Sequence, residues 1–178
     1  MEVGRHLDWL GERLLDRRVR AVLPHLRGRL LDIGCGTNRL VRTHRDGVGV
    51  DVFDFGDADL IVEDASRLAY PDESFDTVTI VAALNHMPNR SAVLAEARRL
   101  LRPGGRIVVT MIPPGISRLW HKLRERSDAD QHDRGMQEGE LYGMTAAEVR
   151  QALEAAGFRV VREERFMLGV NRLTVAEK

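Results

Sequence analysis

The 178-residue sequence predicts an α/β domain built on a doubly wound, mostly parallel β-sheet whose last strand is antiparallel. First, an apolar strand of the buried type stops at Gly34 and Gly36, directly before a helix start. Second, further apolar strands alternate with helical segments along the chain. Third, a tight connection near Leu168 and Gly169 joins the last two strands. This connection excludes parallel pairing, which needs a crossover of about a dozen residues.

The individual elements follow from apolar spacing and from helix start and stop residues. Apolar residues at helical spacing predict a first amphipathic helix, and Pro24 predicts a break near its end. Residues 91–101 predict a helix that stops at 103–105, and the capping box at 145–148 starts a helix that ends at Gly157. Strands are expected near 29–33, 47–51, 59–62, 76–82, 105–111, 158–165 and 168–175.

Composition limits the class of protein and its partners. The length suits a single domain, 1–178, and 27 basic residues balance 27 acidic ones, so no overall charge favours nucleic acid as a partner. Cys35, the single cysteine, excludes an intrachain disulfide and fits a reducing, cytoplasmic location. The N-terminal residues contain no apolar run that predicts a signal peptide or a membrane span. The spacing of His121 and His132 matches no metal-ligand motif, so no metal is predicted.

The glycine loop and its acidic neighbours predict the chemistry of a ligand. Gly34 and Gly36 allow a ligand to approach the backbone closely, and Asp51 ends the second strand, where a carboxylate can accept from ribose hydroxyls. Arg39 occupies the third glycine position of the dinucleotide fingerprint, which disfavours NAD. Asp32 would repel a pyrophosphate but suits a ligand with an ammonium group. The predicted ligand therefore resembles S-adenosylmethionine.

Six segments in order resemble the class I S-adenosylmethionine-dependent methyltransferases, in the small-molecule branch (type 11) that includes the quinone and sterol enzymes. They cover about three quarters of the chain and are LLDIGCGTNRL at 30–40, VGVD at 48–51, IVEDA at 61–65, FDTVTIVAALNHMP at 75–88, LLRPGGRIVVT at 100–110 and the helix and strand that follow Thr145. The resemblance implies a Rossmann-like seven-stranded sheet, S-adenosylmethionine as cofactor, S-adenosylhomocysteine as product and a small-molecule methyl acceptor.

The chain departs from this pattern between the second and third strands. Only nine residues, 52–60, separate Asp51 from the segment 61–65, where family members usually insert a helix. So short a connection is marginal for a crossover, and a loop without the helix is expected. The loop contains the apolar Val52, Phe53 and Phe55. We expect either the N-terminal helix or a second subunit, that is, a homodimer, to cover the sheet face that the missing helix leaves open.

The resemblance assigns roles to residues at the strand ends. The glycine loop would line the methionine portion, Asp32 would orient its ammonium group, and Asp51 would hold the ribose. Asp64 and Ala65 would contact the adenine, although an N-cap role is an alternative for Asp64. Cys35 is interpreted as the small residue that the turn requires rather than as a nucleophile. The predicted cofactor-binding residues are Asp32, Gly34, Cys35, Gly36, Asp51, Val52, Asp64, Ala65, Ala82 and Ala83.

Methyl transfer from a sulfonium is an in-line displacement in which positioning dominates, and a base is needed only if the acceptor must lose a proton. His86, after the fourth strand, is the candidate base. Residues 1–28 are predicted to form a helical cap, and residues 112–144 a substrate lid. The lid residues predicted to approach the acceptor are Trp120, His132, Arg134 and Tyr142. Two alternatives remain: a catalytically silent protein that binds S-adenosylmethionine and acts through protein contacts, and an NAD-dependent oxidoreductase.

Overall fold

The computed structural model describes residues 9–116 and 138–178, and it confirms the predicted fold class. Seven strands form one sheet in the order β3-β2-β1-β4-β5-β7-β6. The first five strands in this order are parallel to their neighbours, whereas β7 pairs antiparallel with both β5 and β6. The strands are β1 (Leu30–Ile33), β2 (Gly47–Asp51), β3 (Leu60–Ile61), β4 (Phe75–Val81), β5 (Leu101–Met111), β6 (Arg159–Phe166) and β7 (Asn171–Glu177).

Helices pack on both faces of the sheet. On one face, α1 and α2 share an apolar cluster with Leu30, Val108 and Leu173 of the sheet. On the other face, the larger cluster joins α3 and α4 to the opposite sides of the same strands. The helices are α1 (Trp9–Val22), α2 (Arg39–His44), α3 (Arg90–Leu100) and α4 (Ala146–Ala155), and short 3₁₀ turns cover Leu23–His25 and Leu84–His86. Within the described residues, no helix combines the length and the apolar character needed to span a membrane.

The capping signals predicted for α4 are present. The Thr145 hydroxyl accepts from the Glu148 amide at 3.2 Å, and a Glu148 carboxylate oxygen accepts from the Thr145 amide at 2.7 Å. Gly157 follows the helix with a φ of +84°, a left-handed conformation that favours glycine after a helix end. The sequence prediction for this helix is therefore confirmed at both ends.

The start of β5 differs from the prediction of a strand near 105. Leu101 follows α3 directly and already pairs with Phe75, and the ladder resumes at Arg106, opposite Thr77, after a register shift. Leu101 is fully buried. Burial of this side chain makes the chain enter the sheet before the Pro-Gly-Gly segment, which forms the irregular part of the strand instead of a helix stop.

The last strand, β7, begins later than predicted, because the connection from β6 is longer. Met167, Leu168 and Gly169 have φ values of +52°, +57° and +84°. Three successive residues in the left-handed region reverse the chain, so β7 begins at Asn171 rather than at 168. The antiparallel pairing that the tight connection predicted is confirmed.

The connection between β2 and β3 contains no helix, as predicted, and its polar groups hold it against the start of α2. The buried Asn38 side chain donates from Nδ2 to the Asp57 carbonyl at 3.0 Å and to Asp59 Oδ2 at 2.9 Å. Asp59 Oδ2 also accepts from the Gly49 amide at 2.8 Å. The helix α1 packs on the face of the sheet that α2 also covers, against β1, β5 and β7 rather than against this connection. Val52 and Phe53 in the connection are half-exposed. A homodimer at this edge stays a prediction.

We expect Gly49→Ala to destabilise the protein by about 1–3 kcal/mol, because a Cβ at this buried position overpacks the loop contact. The added carbon would lie 2.0 Å from Asn38 Oδ1 and 2.9 Å from Cys35 Sγ. A double-mutant cycle measures the coupling between the two positions: urea unfolding gives the stability of Gly49→Ala, of Asn38→Ala and of the double variant. Strict additivity in this cycle would show that the Asn38 contact does not set the requirement for glycine.

Candidate cofactor and active site

The site lies at the carboxyl ends of the parallel strands. The strand order places β2 on one side of β1 and the parallel β4 on the other, so the direction in which successive strands are added to the sheet reverses at β1. Open α/β sheets bind ligands at this switch point. Asp32 lies near the carboxyl end of β1, Asp51 ends β2, and Ala82 and Ala83 directly follow β4.

The loop after β1 is held by β2. The amides of Gly34 and Cys35 donate to the Val50 carbonyl at 2.9 and 3.1 Å, and the Gly36 amide donates to Asp51 Oδ2 at 2.8 Å. The two glycines serve different purposes. A Cβ on Gly34 would lie 2.6 Å from the Cβ of Ala83, whereas a Cβ on Gly36 would meet nothing within 4 Å. Gly34 therefore permits packing of the β4 end, and Gly36 borders open space that a ligand can enter.

Asp51 is both a loop clamp and a potential ligand acceptor. Its side chain accepts from the Gly36 amide through Oδ2 and from the Phe53 amide through Oδ1 at 3.1 Å, and the residue is 8% exposed. Each carboxylate oxygen carries two lone pairs, so two amide donors leave acceptor capacity for hydroxyl groups. Asp51 is thus oriented before any ligand arrives.

Asp32 is a buried carboxyl with a single protein donor identified. It is 2% exposed, and the Thr79 hydroxyl donates to its Oδ1 at 2.6 Å. Burial raises the pKa of Asp32 to about 7, the Thr79 hydrogen bond opposes this rise, and the nearby Asp51 charge adds to it. A cationic group brought close to Asp32 would favour its ionised form, so this carboxyl suits an ammonium-bearing ligand.

Asp64 is held as a turn residue at the far side of the site. It accepts from the Ser66 amide at 2.8 Å, the Ser66 hydroxyl at 2.7 Å and Asn89 Nδ2 at 2.8 Å. These hydrogen bonds, the Ser66 amide first, hold the pKa of Asp64 below its usual range. No helix begins directly after Asp64, so the helix N-cap alternative is wrong; the carboxylate closes a turn instead, and lone pairs remain for an adenine amine. Ala65 is buried beside it, while Val52 offers a half-exposed apolar surface.

The segment after β4 carries backbone strain. Ala82 has a φ of +54°, and its amide donates to both the carbonyl and the hydroxyl of Thr110, each at 3.1 Å. A non-glycine residue in the left-handed region needs such support from its surroundings, and strain of this kind clusters at functional sites. The turn brings Ala83 against Gly34 and so links the β4 end to the glycine loop.

Cys35 lies beside these carboxyls without nucleophilic character. Burial raises the pKa of its thiol, and the charges of Asp32, Asp51 and Asp59 raise it further. The thiol form is therefore the stable one, and thiolate chemistry is disfavoured at this position. Among the described residues, no group of three or more histidine, cysteine or acidic side chains is arranged to hold a metal ion.

His86 lies in the turn that follows β4. It ends the 3₁₀ turn that begins two residues after Ala82, and its amide donates to the Ala83 carbonyl at 2.9 Å. Its Nδ1 is buried and lies 3.7 Å from Glu140 Oε2, whereas the imidazole side chain as a whole is 25% exposed. Tyr142, two residues after Glu140 in the sequence, is exposed. The other predicted lid residues, Trp120, His132 and Arg134, lie outside the described residues.

Several site residues were missed by the sequence analysis. Thr79 had a weak signal, because polar residues in a strand that is otherwise apolar and central usually have a buried partner. Asn89 and Glu140 had none, since their partners lie 25 and 54 positions away along the chain. Only the packing of the elements brings them to the site.

Comparisons with known proteins identify relatives of this chain by sequence and by fold. A family model for a methyltransferase domain matches residues 31–109. The ubiquinone/menaquinone biosynthesis C-methyltransferase UbiE of Burkholderia mallei is 29% identical over 148 residues, covering 72% of this chain. The chain spans 57% of the length of that relative.

Two solved structures share the fold. A Thermotoga maritima protein described as an S-adenosylmethionine-dependent methyltransferase, possible histamine N-methyltransferase, has a TM-score of 0.71 at 20% identity, over 91% of this chain and 88% of its own. A Haloferax volcanii putative methyltransferase, solved with the Trm112 methyltransferase activator, has a TM-score of 0.69 at 18% identity, over 93% of this chain and 91% of its own.

The sheet order 3-2-1-4-5-7-6 with an antiparallel β7 defines a class, the Rossmann-like methyltransferase fold. Within that class, the glycine loop and the strands around it match the methyltransferase-domain model from β1 to β5. Residues 31–109 thus match the domain of the class I S-adenosylmethionine-dependent methyltransferases, and the chain is a distant homologue of UbiE. These similarities decide against the alternative of an NAD-dependent oxidoreductase.

Proposed function

We propose that this protein transfers a methyl group from S-adenosylmethionine to a small-molecule acceptor by in-line displacement. The observation that carries the proposal is the pairing of the Gly36 amide with Asp51 beside open space, because it presents an oriented carboxylate where a ribose would lie. The buried Asp32 supports the same ligand, since a carboxyl removed from water is stabilised in its charged form by a cation.

The residues present fit this cofactor from end to end. Asp32 would orient the ammonium group, Gly34, Cys35 and Gly36 would line the methionine portion, and Asp51 would accept from the ribose. The remaining predicted contacts are Val52, Asp64 and Ala65 at the adenine and Ala82 and Ala83 near the sulfonium. When bound, the cofactor supplies a methyl group on a positively charged sulfur, which is already activated for displacement.

The protein's own contribution is mainly positioning. The strained Ala82 and the packing of Ala83 on Gly34 hold the β4 end at a defined distance from the glycine loop. Reacting atoms held about 3–3.5 Å apart in line gain much of the rate enhancement without further chemistry. We assign His86 as the base for acceptors that must lose a proton. Trp120, His132, Arg134 and Tyr142 of the 112–144 lid are the proposed acceptor contacts.

Two measurements on the same protein preparation test the function. Isothermal titration should show one site for S-adenosylmethionine and one for S-adenosylhomocysteine, and incubation with tritiated-methyl cofactor and small-molecule cell extract should yield a labelled product. Binding without any labelled product would instead support the alternative of a catalytically silent cofactor-binding protein. Absence of cofactor binding would contradict both functions.

A further inference from the structure

The buried carboxylate of Glu140 lies near the buried Nδ1 atom of His86, the proposed base. Glu140 is 8% exposed, and its side chain is 2% exposed. Its Oε2 lies 3.7 Å from Nδ1 of His86, an atom that is itself buried and makes no hydrogen bond within 3.5 Å to residues 9–116 or 138–178. The separation is slightly longer than a hydrogen bond, and catalytic hydrogen bonds are often long in ligand-free structures. The two groups therefore form a histidine–carboxylate pair.

The pair is positioned by contacts between residues that are neighbours of both members. The Leu141 amide donates to the Asn85 carbonyl at 2.8 Å, and Asn85 Nδ2 donates to the Leu141 carbonyl at 2.9 Å. Asn85 precedes His86, and Leu141 follows Glu140, so this reciprocal pair of hydrogen bonds sets the relative position of the two side chains. On the other side, Arg90 donates to the Gly139 carbonyl, which holds the preceding residue as well.

The orientation of the imidazole follows from its burial. Since Nδ1 is buried while the side chain is 25% exposed, solvent reaches the ring only through its other atoms, a set that includes Nε2. The ring belongs to the turn whose Ala83 touches the glycine loop. A carboxylate at Nδ1 favours the tautomer with the proton on Nδ1, which leaves Nε2 unprotonated and available as a proton acceptor.

We propose that Glu140 is a positioning residue that makes His86 a general base, and that the acceptor carries a hydroxyl of the phenol or enol type. The inference rests on the proposed methyl transfer. A base is needed only if methylation requires loss of a proton, so this pair would serve no purpose for a thiolate or a neutral amine. A buried carboxylate also stabilises the imidazolium that forms when Nε2 takes the proton.

With a hydroxyl acceptor, both the proton and the positive charge pass to the His86–Glu140 pair. The hydroxyl proton moves to Nε2 of His86, and the electron pair on the oxygen, or on its conjugated carbon, forms the bond to the methyl carbon. The electron pair of the broken carbon–sulfur bond stays on sulfur. The positive charge of the sulfonium thus ends on the His86–Glu140 pair, and the imidazolium returns its proton to solvent.

The tautomer of His86 tests the pair without any acceptor. In ¹⁵N-labelled protein at about pH 8, long-range proton–nitrogen NMR should show the Nδ1–H tautomer, both free and with S-adenosylhomocysteine. Disappearance of the signal in His86→Gln assigns it. We expect Glu140→Leu to convert most of the His86 population to the Nε2–H tautomer, and Glu138→Gln, an exposed carboxylate two residues away, to leave it unchanged. An Nε2–H tautomer in the unaltered protein would overturn the positioning role of Glu140.

The acceptor class is tested by the labelled product of the cell-extract assay. A methyl group on a phenol or enol oxygen, or on the carbon conjugated with it, supports the inference, and a methyl group on sulfur or nitrogen overturns it. With the unmethylated parent compound of such a product as substrate, Glu140→Leu should lower kcat about 10-fold or more while the KM for S-adenosylmethionine changes less than about 2-fold. Normal cofactor binding in this variant separates failure of the inference from failure of the proposed function.

Discussion

Replacing Asp51 by alanine is expected to weaken S-adenosylmethionine binding about 100-fold. The variant loses a carboxylate that would accept from the ribose, and hydrogen bonds to a charged group contribute about 1.5–3 kcal/mol each. It also releases the Gly36 amide, which Asp51 Oδ2 accepts at 2.8 Å, so the loop after β1 loses its defined position. A tenfold change in affinity corresponds to about 1.4 kcal/mol, so two contributions of at least this size weaken binding about 100-fold. Isothermal titration of both proteins measures the difference.

Asp54→Ala is the matched control for this substitution. Asp54 lies three positions further along the same loop, is exposed, and accepts only a local hydrogen bond from the Gly56 amide among those identified. We expect its cofactor affinity to stay within about 2-fold of the original protein, since exposed polar substitutions have small effects. Circular dichroism should show that Asp51→Ala is folded. Equal affinities for the two folded variants would rule out Asp51 as a cofactor ligand.

Asp32→Asn is expected to stabilise the protein at pH 8 by about 4 kcal/mol while weakening cofactor binding about 10-fold or more. Burial raises the pKa of Asp32 from 3.8 to about 7. Between these two values the folded protein binds more protons than the unfolded chain, so the stability of the original protein falls as the pH rises from about 4 to about 7. Asparagine removes this charge and can still accept from Thr79.

Urea unfolding at several pH values measures this effect. The stability difference should approach zero below about pH 3, where Asp32 is mostly protonated in both states, and should reach its full size above about pH 7. Asp46→Asn, at an exposed carboxylate, should change the pH dependence little. A difference that is constant across this pH range would contradict the assignment to Asp32. Cofactor binding by the original protein should release a proton near pH 7, because the ammonium group favours the charged carboxyl.

Local sequence patterns predicted most of the fold. Every predicted strand is present, and the capping box at Thr145 and the left-handed Gly157 mark the ends of α4 as expected. The errors lie at element ends. Leu101 enters the sheet because its burial at β5 outweighs the Pro-Gly-Gly signal, and β7 begins late because Met167 and Leu168 adopt left-handed conformations that their residue types do not predict.

The residues proposed for the site are those that the sequence predicts at or directly after strand ends. Asp32, Gly36 and Asp51 lie at strand ends, and the parallel topology that their surroundings predicted brings these ends together. Thr79 and Glu140 were missed for the opposite reason. Thr79 meets Asp32 across two strands, and Glu140 meets His86 across the segment between β4 and α4. No local period or turn signal encodes such a contact.

The sequence alone determined the fold class, the strand ends that form the site and the missing helix between β2 and β3, because these depend on side-chain period, chain length and glycine placement along a local stretch. Only the tertiary structure decided how the site residues behave. It raises the pKa of Asp32 by burial, divides the tasks of Gly34 and Gly36, and places Glu140 at His86. These properties depend on solvent exclusion and on contacts between distant segments, which exist only once the helices and the sheet have packed.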